Sequence, residues 1–116
     1  MAHILLKPSA DEDFYVYWST VVDMPIGWGD NSTLRAMEDF AEELSDADRW
    51  YRADKTGTSE QWYTASFNKP NRYNYGGYGW IARSDLKKLT DVYDRLGVDI
   101  PEDHPELLAQ ITPWED

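Results

Sequence analysis

Three bases and no acid fall between residues 61 and 84: Lys69, Arg72 and Arg83 give this window +3, which leaves −14 for the remainder of a chain whose net charge is −11. Among the bases lie Tyr73, Tyr75, Tyr78 and Trp80, with Asn68, Asn71 and Asn74 and a cluster of glycines at 76, 77 and 79. The chemistry this mixture suits is recognition. Tyrosine supplies rigid amphipathic area, asparagine adaptable hydrogen bonds, and glycine lets a backbone come close. The expected binding set is Lys69, Arg72, Tyr73, Tyr75 and Tyr78 of a loop over residues 68–80, whose long tip covers 68–77, with neighbouring Trp28; Trp80 is expected in the core. The same aromatics could stack on the bases of a single strand. The surrounding negative field opposes a polyanion at that distance, so direct nucleic-acid binding is disfavoured.

Other chemistries find less support. His3 and His104 are the only histidines, cysteine is absent, and there is no Gly-x-Ser-x-Gly turn, so no catalytic residue is assigned. Twenty-two acids ensure that some carboxylates approach one another. Glu38 with Glu42 and Asp39 with Glu43 sit four apart and would share a helix face. Such a face could hold a hard cation, could imitate phosphates in a basic groove, or could simply be solvated. Solvation is the plainest reading. The calcium-loop template fails because Trp50 and Tyr51 stand where an oxygen ligand and a glycine are needed. The pattern Gly77-x-Gly79-x-x-Ala82, with Asp99 further on, lacks the buried parallel strand that a dinucleotide site requires. No metal or cofactor is expected.

A length of 116 residues with six Trp, eight Tyr and three Phe fits one domain over residues 1–116 with a substantial core. The aromatic content argues against disorder despite the charge. Absence of cysteine, of a basic leader and of any run of membrane-spanning length leads to the expectation of a cytoplasmic protein. Its charge favours a protein partner of basic character, and a homo-oligomer is compatible with the same surface.

The elements that must position these residues follow from periodicity. A short strand is expected over residues 2–6 and a central one over 14–22, with Phe14, Val16, Trp18, Thr20 and Val22 on one face. Leu34, Met37, Phe40, Ala41 and Leu44 recur at helical spacing after a cap at Asn31, Ser32 or Thr33. Ser45 is expected to cap a further helical stretch that stops before Gly57. Strands over 60–67 and 78–83 would form a hairpin. Ser84 would cap a helix carrying Leu86, Leu89, Tyr93 and Leu96 that stops at Gly97, and Asp103 with Glu106 suggests a capping box for a last short helix. The fold expected is α+β: a small antiparallel sheet of three or four strands, two main helices on one face, and a short C-terminal helix.

Tyr17-Trp18-Ser19-Thr20-Val21-Val22-Asp23-Met24-Pro25-Ile26-Gly27-Trp28-Gly29, with Arg52-Ala53-Asp54-Lys55-Thr56-Gly57-Thr58-Ser59 downstream, resembles small uncharacterised proteins of actinobacteria, their plasmids and phages. The resemblance implies a phage or mobile-element origin and brings no activity with it. The function expected from the residues is a non-enzymatic protein-interaction module. Two alternatives stand beside it: an acidic nucleic-acid mimic inhibiting a host enzyme through Glu38, Asp39, Glu42 and Glu43, and a small carboxylate-dependent enzyme.

Overall fold

The computed structural model describes residues 3–59, 67 and 72–114. Strands β1 (His3–Leu6), β2 (Tyr15–Ser19) and β3 (Met24–Gly29) form an antiparallel sheet in that order. Alternation along β1 and β2 divides the side chains between two cores. Ile4, Leu6, Val16 and Trp18 face one way, and Leu5, Tyr15 and Tyr17 the other. All seven are at most 6% exposed, so this sheet is covered on both faces.

A register shift between Tyr17 and Trp18 pairs them with Gly27 and Pro25 and leaves Ile26 as the extra residue. Met24, Ile26 and Trp28 would otherwise share a face. The bulge turns Ile26 to the second core while Met24 and Trp28 stay with the first. Pro25, which has no N–H to donate, sits at this irregularity on an edge strand, where its lack of a donor is tolerated.

The central strand stops at Ser19, not at residue 22. Ser19 Oγ accepts from the backbone N–H groups of Val21 (3.3 Å) and Val22 (3.4 Å), and Asp23 takes a left-handed conformation at φ 57°. Val22 therefore stands in a turn, 54% exposed, rather than beside Trp18.

The amphipathic stretch after residue 31 is not one helix. Helix α1 (Asn31–Arg35) is capped by Asp30, whose side chain accepts from the Thr33 N–H, and two single 3₁₀ turns follow at Glu38–Phe40 and Glu43–Ser45. Like charges four apart (Glu38 and Glu42, Asp39 and Glu43, Glu42 and Asp46) oppose a continuous helix, and Asp46 instead accepts from the Asp48 N–H to start α2 (Ala47–Thr56). Leu34, Leu44, Trp50 and Ala53 still reach the second core, joined at its margin by Met37 and Phe40.

Beyond α2, strands β4 (Arg72–Tyr75), β5 (Gly79–Ala82) and β6 (Thr112–Pro113) make a second antiparallel sheet. Helix α3 (Leu86–Leu96) follows a 3₁₀ turn at Arg83–Asp85 and stops at Gly97. Ser84 lies inside that turn and Asp85 occupies the N-cap position. The last helix, α4 (Pro105–Leu108), is capped by His104, whose Nδ1 accepts from the Glu106 N–H at 3.1 Å, in place of the expected Asp103 capping box. Tyr75 and Ile81 of the second sheet, Leu86, Leu89, Val92 and Tyr93 of α3, and Leu107 and Ile111 close the first core.

The class is α+β, as expected. Its strands are divided between two sheets, and the helices expected from residues 32 and 84 on one face lie on opposite sides of the first sheet: α1, through Leu34, joins α2 in the core of Leu5, Tyr15 and Tyr17, while α3 lies in that of Ile4, Leu6, Val16 and Trp18. With β1 and β2 apolar on both faces, covering one side alone would leave the other in water.

Candidate functional site

Arg72-Tyr73-Asn74-Tyr75 is a strand, not a loop, and that changes which of its side chains can meet a partner. The β4–β5 connection is a tight turn over residues 76–78, closed by the Tyr78 N–H donating to the Tyr75 carbonyl at 3.0 Å. Lys69, the remainder of the expected loop over 68–71 and the expected strand over 60–66 lie outside the described residues.

Period two sends Tyr73 and Tyr75 inward and Arg72 and Asn74 outward. Tyr75 is fully buried. Its hydroxyl donates to the Glu102 carbonyl (3.0 Å) and lies 2.8 Å from the Tyr93 hydroxyl, and burial first, then these neighbours, push its ionisation far above the ordinary phenol range. Tyr73 is half-buried, its ring 6.1 Å from that of Trp18. Tyr78 packs 6.2 Å from Tyr75 and its hydroxyl reaches Glu102 Oε1 at 3.3 Å. Trp28, on the other sheet, donates from Nε1 to Asp94 Oδ1 (2.9 Å) and lies against Tyr93 at 5.5 Å. These four aromatics join β3, the second sheet, α3 and the segment before α4, and Arg72 is not brought into their company.

Arg72 belongs to another constellation. Cross-strand register aligns Asn74 with Trp80 and Trp80 with Thr112 across β4, β5 and β6. Together with Arg72, Pro113 and Trp114 they line an open trough of about 560 Å³ on the outward face of the second sheet. The Arg72 guanidinium lies over the Trp80 ring at 5.4 Å, and Trp80 meets Trp114 edge to face at 6.3 Å with an interplanar angle of 69°. Trp80, expected in the core, is half-buried here because Ile81 takes the inward position beside it. Trp114 is 44% exposed.

Gly79 makes this arrangement feasible. Its φ is 156°, and a Cβ there would lie 2.2 Å from the Thr112 carbonyl oxygen, so only glycine lets β6 approach and bring Trp114 to the trough.

Charge singles out Arg72. Among the described arginines, Arg95 pairs with Glu106 (3.1 Å), Arg52 with Asp48, Arg35 Nε donates to Asn31 (2.7 Å), Arg49 donates to the Tyr17 hydroxyl (2.8 Å), and Arg83 reaches the carbonyls of Thr56 and Phe67 (both 3.4 Å). Arg72 alone among them has no hydrogen-bond or carboxylate partner within the described residues, and no acid is among the described residues that line its trough. Arg83, the other described base of the cationic window, is 5% exposed beneath Gly57, so it contributes nothing to a contact surface.

The four acids proposed as a mimic face are dispersed by the two 3₁₀ turns. Glu38, Asp39 and Glu42 are exposed. Glu43 is drawn inward, where its Oε1 accepts from the Tyr17 hydroxyl (3.0 Å) and lies 2.9 Å from His3 Nδ1. Burial would raise this carboxyl, and the hydrogen bonds from His3 and Tyr17 with the charges of His3 and Arg49 outweigh it and hold it below the usual range. Among the described residues no three of His, Asp and Glu converge as ligands for a metal ion. A smaller crevice of about 200 Å³ beside Phe14 is occupied by its own ion pair, Lys87 to Glu12 at 2.6 Å.

Comparison with known proteins gives no family model, no curated protein and no solved structure that matches the chain significantly. No helix among the described residues is long and apolar enough to cross a membrane.

Sequence reasoning missed Thr112, Pro113 and Trp114. A two-residue strand is too short to show a period. The available signal was Trp114 itself, a large aromatic in an otherwise acidic tail where no core pattern called for it.

Proposed function

We propose that this chain is a non-enzymatic protein-interaction module of the cytoplasm that meets its partner through the outward face of the second sheet. The observation that carries this reading is Arg72, which lies over Trp80 beside Trp114 with no acid among the described residues that line the trough. Arginine and tryptophan are the residue types that most often dominate interfaces, and here the guanidinium already lies against the indole. An open trough suits a protein surface or segment better than a small molecule, which binds best where most of its area is enclosed.

Photo-crosslinking in the native host tests the reading. A benzoylphenylalanine at Asn74, which is exposed and lines the trough, is expected to give one discrete protein adduct, while the same probe at Glu42 gives none. A discrete adduct to a nucleic-acid enzyme from Glu42 alone would favour the acidic mimic instead. Absence of any adduct at Asn74 would reject the trough as the contact surface.

A further inference from the structure

Resting on the reading just given, we infer that the trough takes an extended peptide segment in which one carboxylate side chain pairs with Arg72 while neighbouring proline or other apolar residues lie on Trp80 and Trp114. A cation–π contact engages one face of a guanidinium and leaves its in-plane N–H donors able to meet a carboxylate in a fork. Those donors have no partner among the described residues, and Arg72 is the single charged side chain among the described residues lining the trough. One cation with no described acid beside it fits one carboxylate.

The length of the occupant follows from the sheet. Asn74, Trp80 and Thr112 stand in a row across three strands, so the row spans roughly 10 Å at about 4.8 Å between strands. An extended chain rises about 3.3 Å per residue and crosses that row with three or four residues. The edge-to-face indoles present a flat wall and a corner for apolar rings, and a proline-containing segment is already extended, so ordering it on the wall costs little.

A single-stranded nucleic acid would also stack on indoles and meet an arginine. It would bring a charge with every nucleotide to a protein of net charge −11, against one unpaired cation at the trough. The charge balance therefore favours a peptide with one acid over a polyanion.

A random peptide library displayed on phage and selected on the full-length protein tests this. Selected sequences are expected to carry one Asp or Glu within three or four residues of proline or an aromatic, and Arg72→Glu is expected to select Lys or Arg at the same place. Synthetic versions of the selected peptides should lose about tenfold in affinity when their acid becomes the amide, and a similar amount on Arg72→Ala. If selected peptides depend on Trp80 and Trp114 but show no acid preference and ignore Arg72→Glu, the trough reading survives and this inference falls. If they bind Trp80→Phe and Trp114→Ala variants as well as the parent, or if no peptide is selected, both fall. Binding of an oligothymidylate in preference to every selected peptide would overturn the inference in favour of a nucleic acid.

Discussion

Strand β4 gives its two faces to different tasks with four consecutive residues. Inward, Tyr73 and Tyr75 pack on Trp18, Tyr78 and Tyr93, and the Tyr75 hydroxyl is fully engaged. Outward, Arg72 and Asn74 border an open trough, and the Arg72 donors have no partner among the described residues. Aromatic content does not distinguish the two faces of this sheet, because the outward one carries Trp80 and Trp114. Satisfaction does: the buried Tyr75 hydroxyl finds its partners, whereas the outward guanidinium, over the Trp80 ring, has no hydrogen-bond partner among the described residues. A buried group without a partner costs stability, while an exposed one remains available for binding.

The largest effect should come from the inward face. Tyr75→Ala removes a fully buried ring from the first core and is expected to cost about 3–5 kcal/mol in urea unfolding. A loss below about 1 kcal/mol would mean that the two faces do not differ as described. Gly79→Ala comes next. Its Cβ would collide with the Thr112 backbone, so β6 must shift, at roughly 1–3 kcal/mol, and Trp114 should leave Trp80 with a visible change in near-ultraviolet dichroism. An unchanged spectrum would show that β6 does not set the trough. Tyr75→Phe keeps the ring and deletes the hydroxyl, leaving the Glu102 carbonyl without that donor. About 1 kcal/mol is expected, and no change would place the hydroxyl outside the network.

The comparison extends to the acids. Glu43 is turned inward and hydrogen-bonded, while Glu38, Asp39 and Glu42 are solvated. Because the folded Glu43 carboxyl ionises below its ordinary value of 4.5, the stability it adds is present above about pH 4.5 and is lost as pH falls through the folded value. Glu43→Gln should flatten the fall of stability between neutral and strongly acid pH, and Glu42→Gln should not. Unfolding midpoints at stepped pH would show it, and equal slopes in both variants would deny Glu43 its special environment.

Much of the core was legible because burial on both faces leaves a dense aromatic and β-branched record, as at residues 15–18, and because α3 carries a full apolar stripe ended by Gly97. The site was legible only in composition. An aromatic, basic window marked Arg72 and Trp80, yet tyrosine and asparagine serve in strands and loops alike, so Tyr75 was placed outside and Trp80 inside until the turn at 76–78 fixed the alternation. Ser19 and Asp46 redirected the chain through side-chain hydrogen bonds to backbone N–H groups, which no hydrophobic period records.

The division of labour between the faces is tested most directly by one paired measurement on Arg72→Ala combined with Trp114→Ala: the urea unfolding midpoint, and the affinity for the partner crosslinked at Asn74. Both side chains are exposed and neither supplies a core contact. The midpoint should stay within the effect of ordinary surface changes, about 0.5 kcal/mol, while affinity falls about thirtyfold, the loss typical of anchors worth roughly 2 kcal/mol. A variant that unfolds, or one that stays folded and binds as well as the parent, would contradict it.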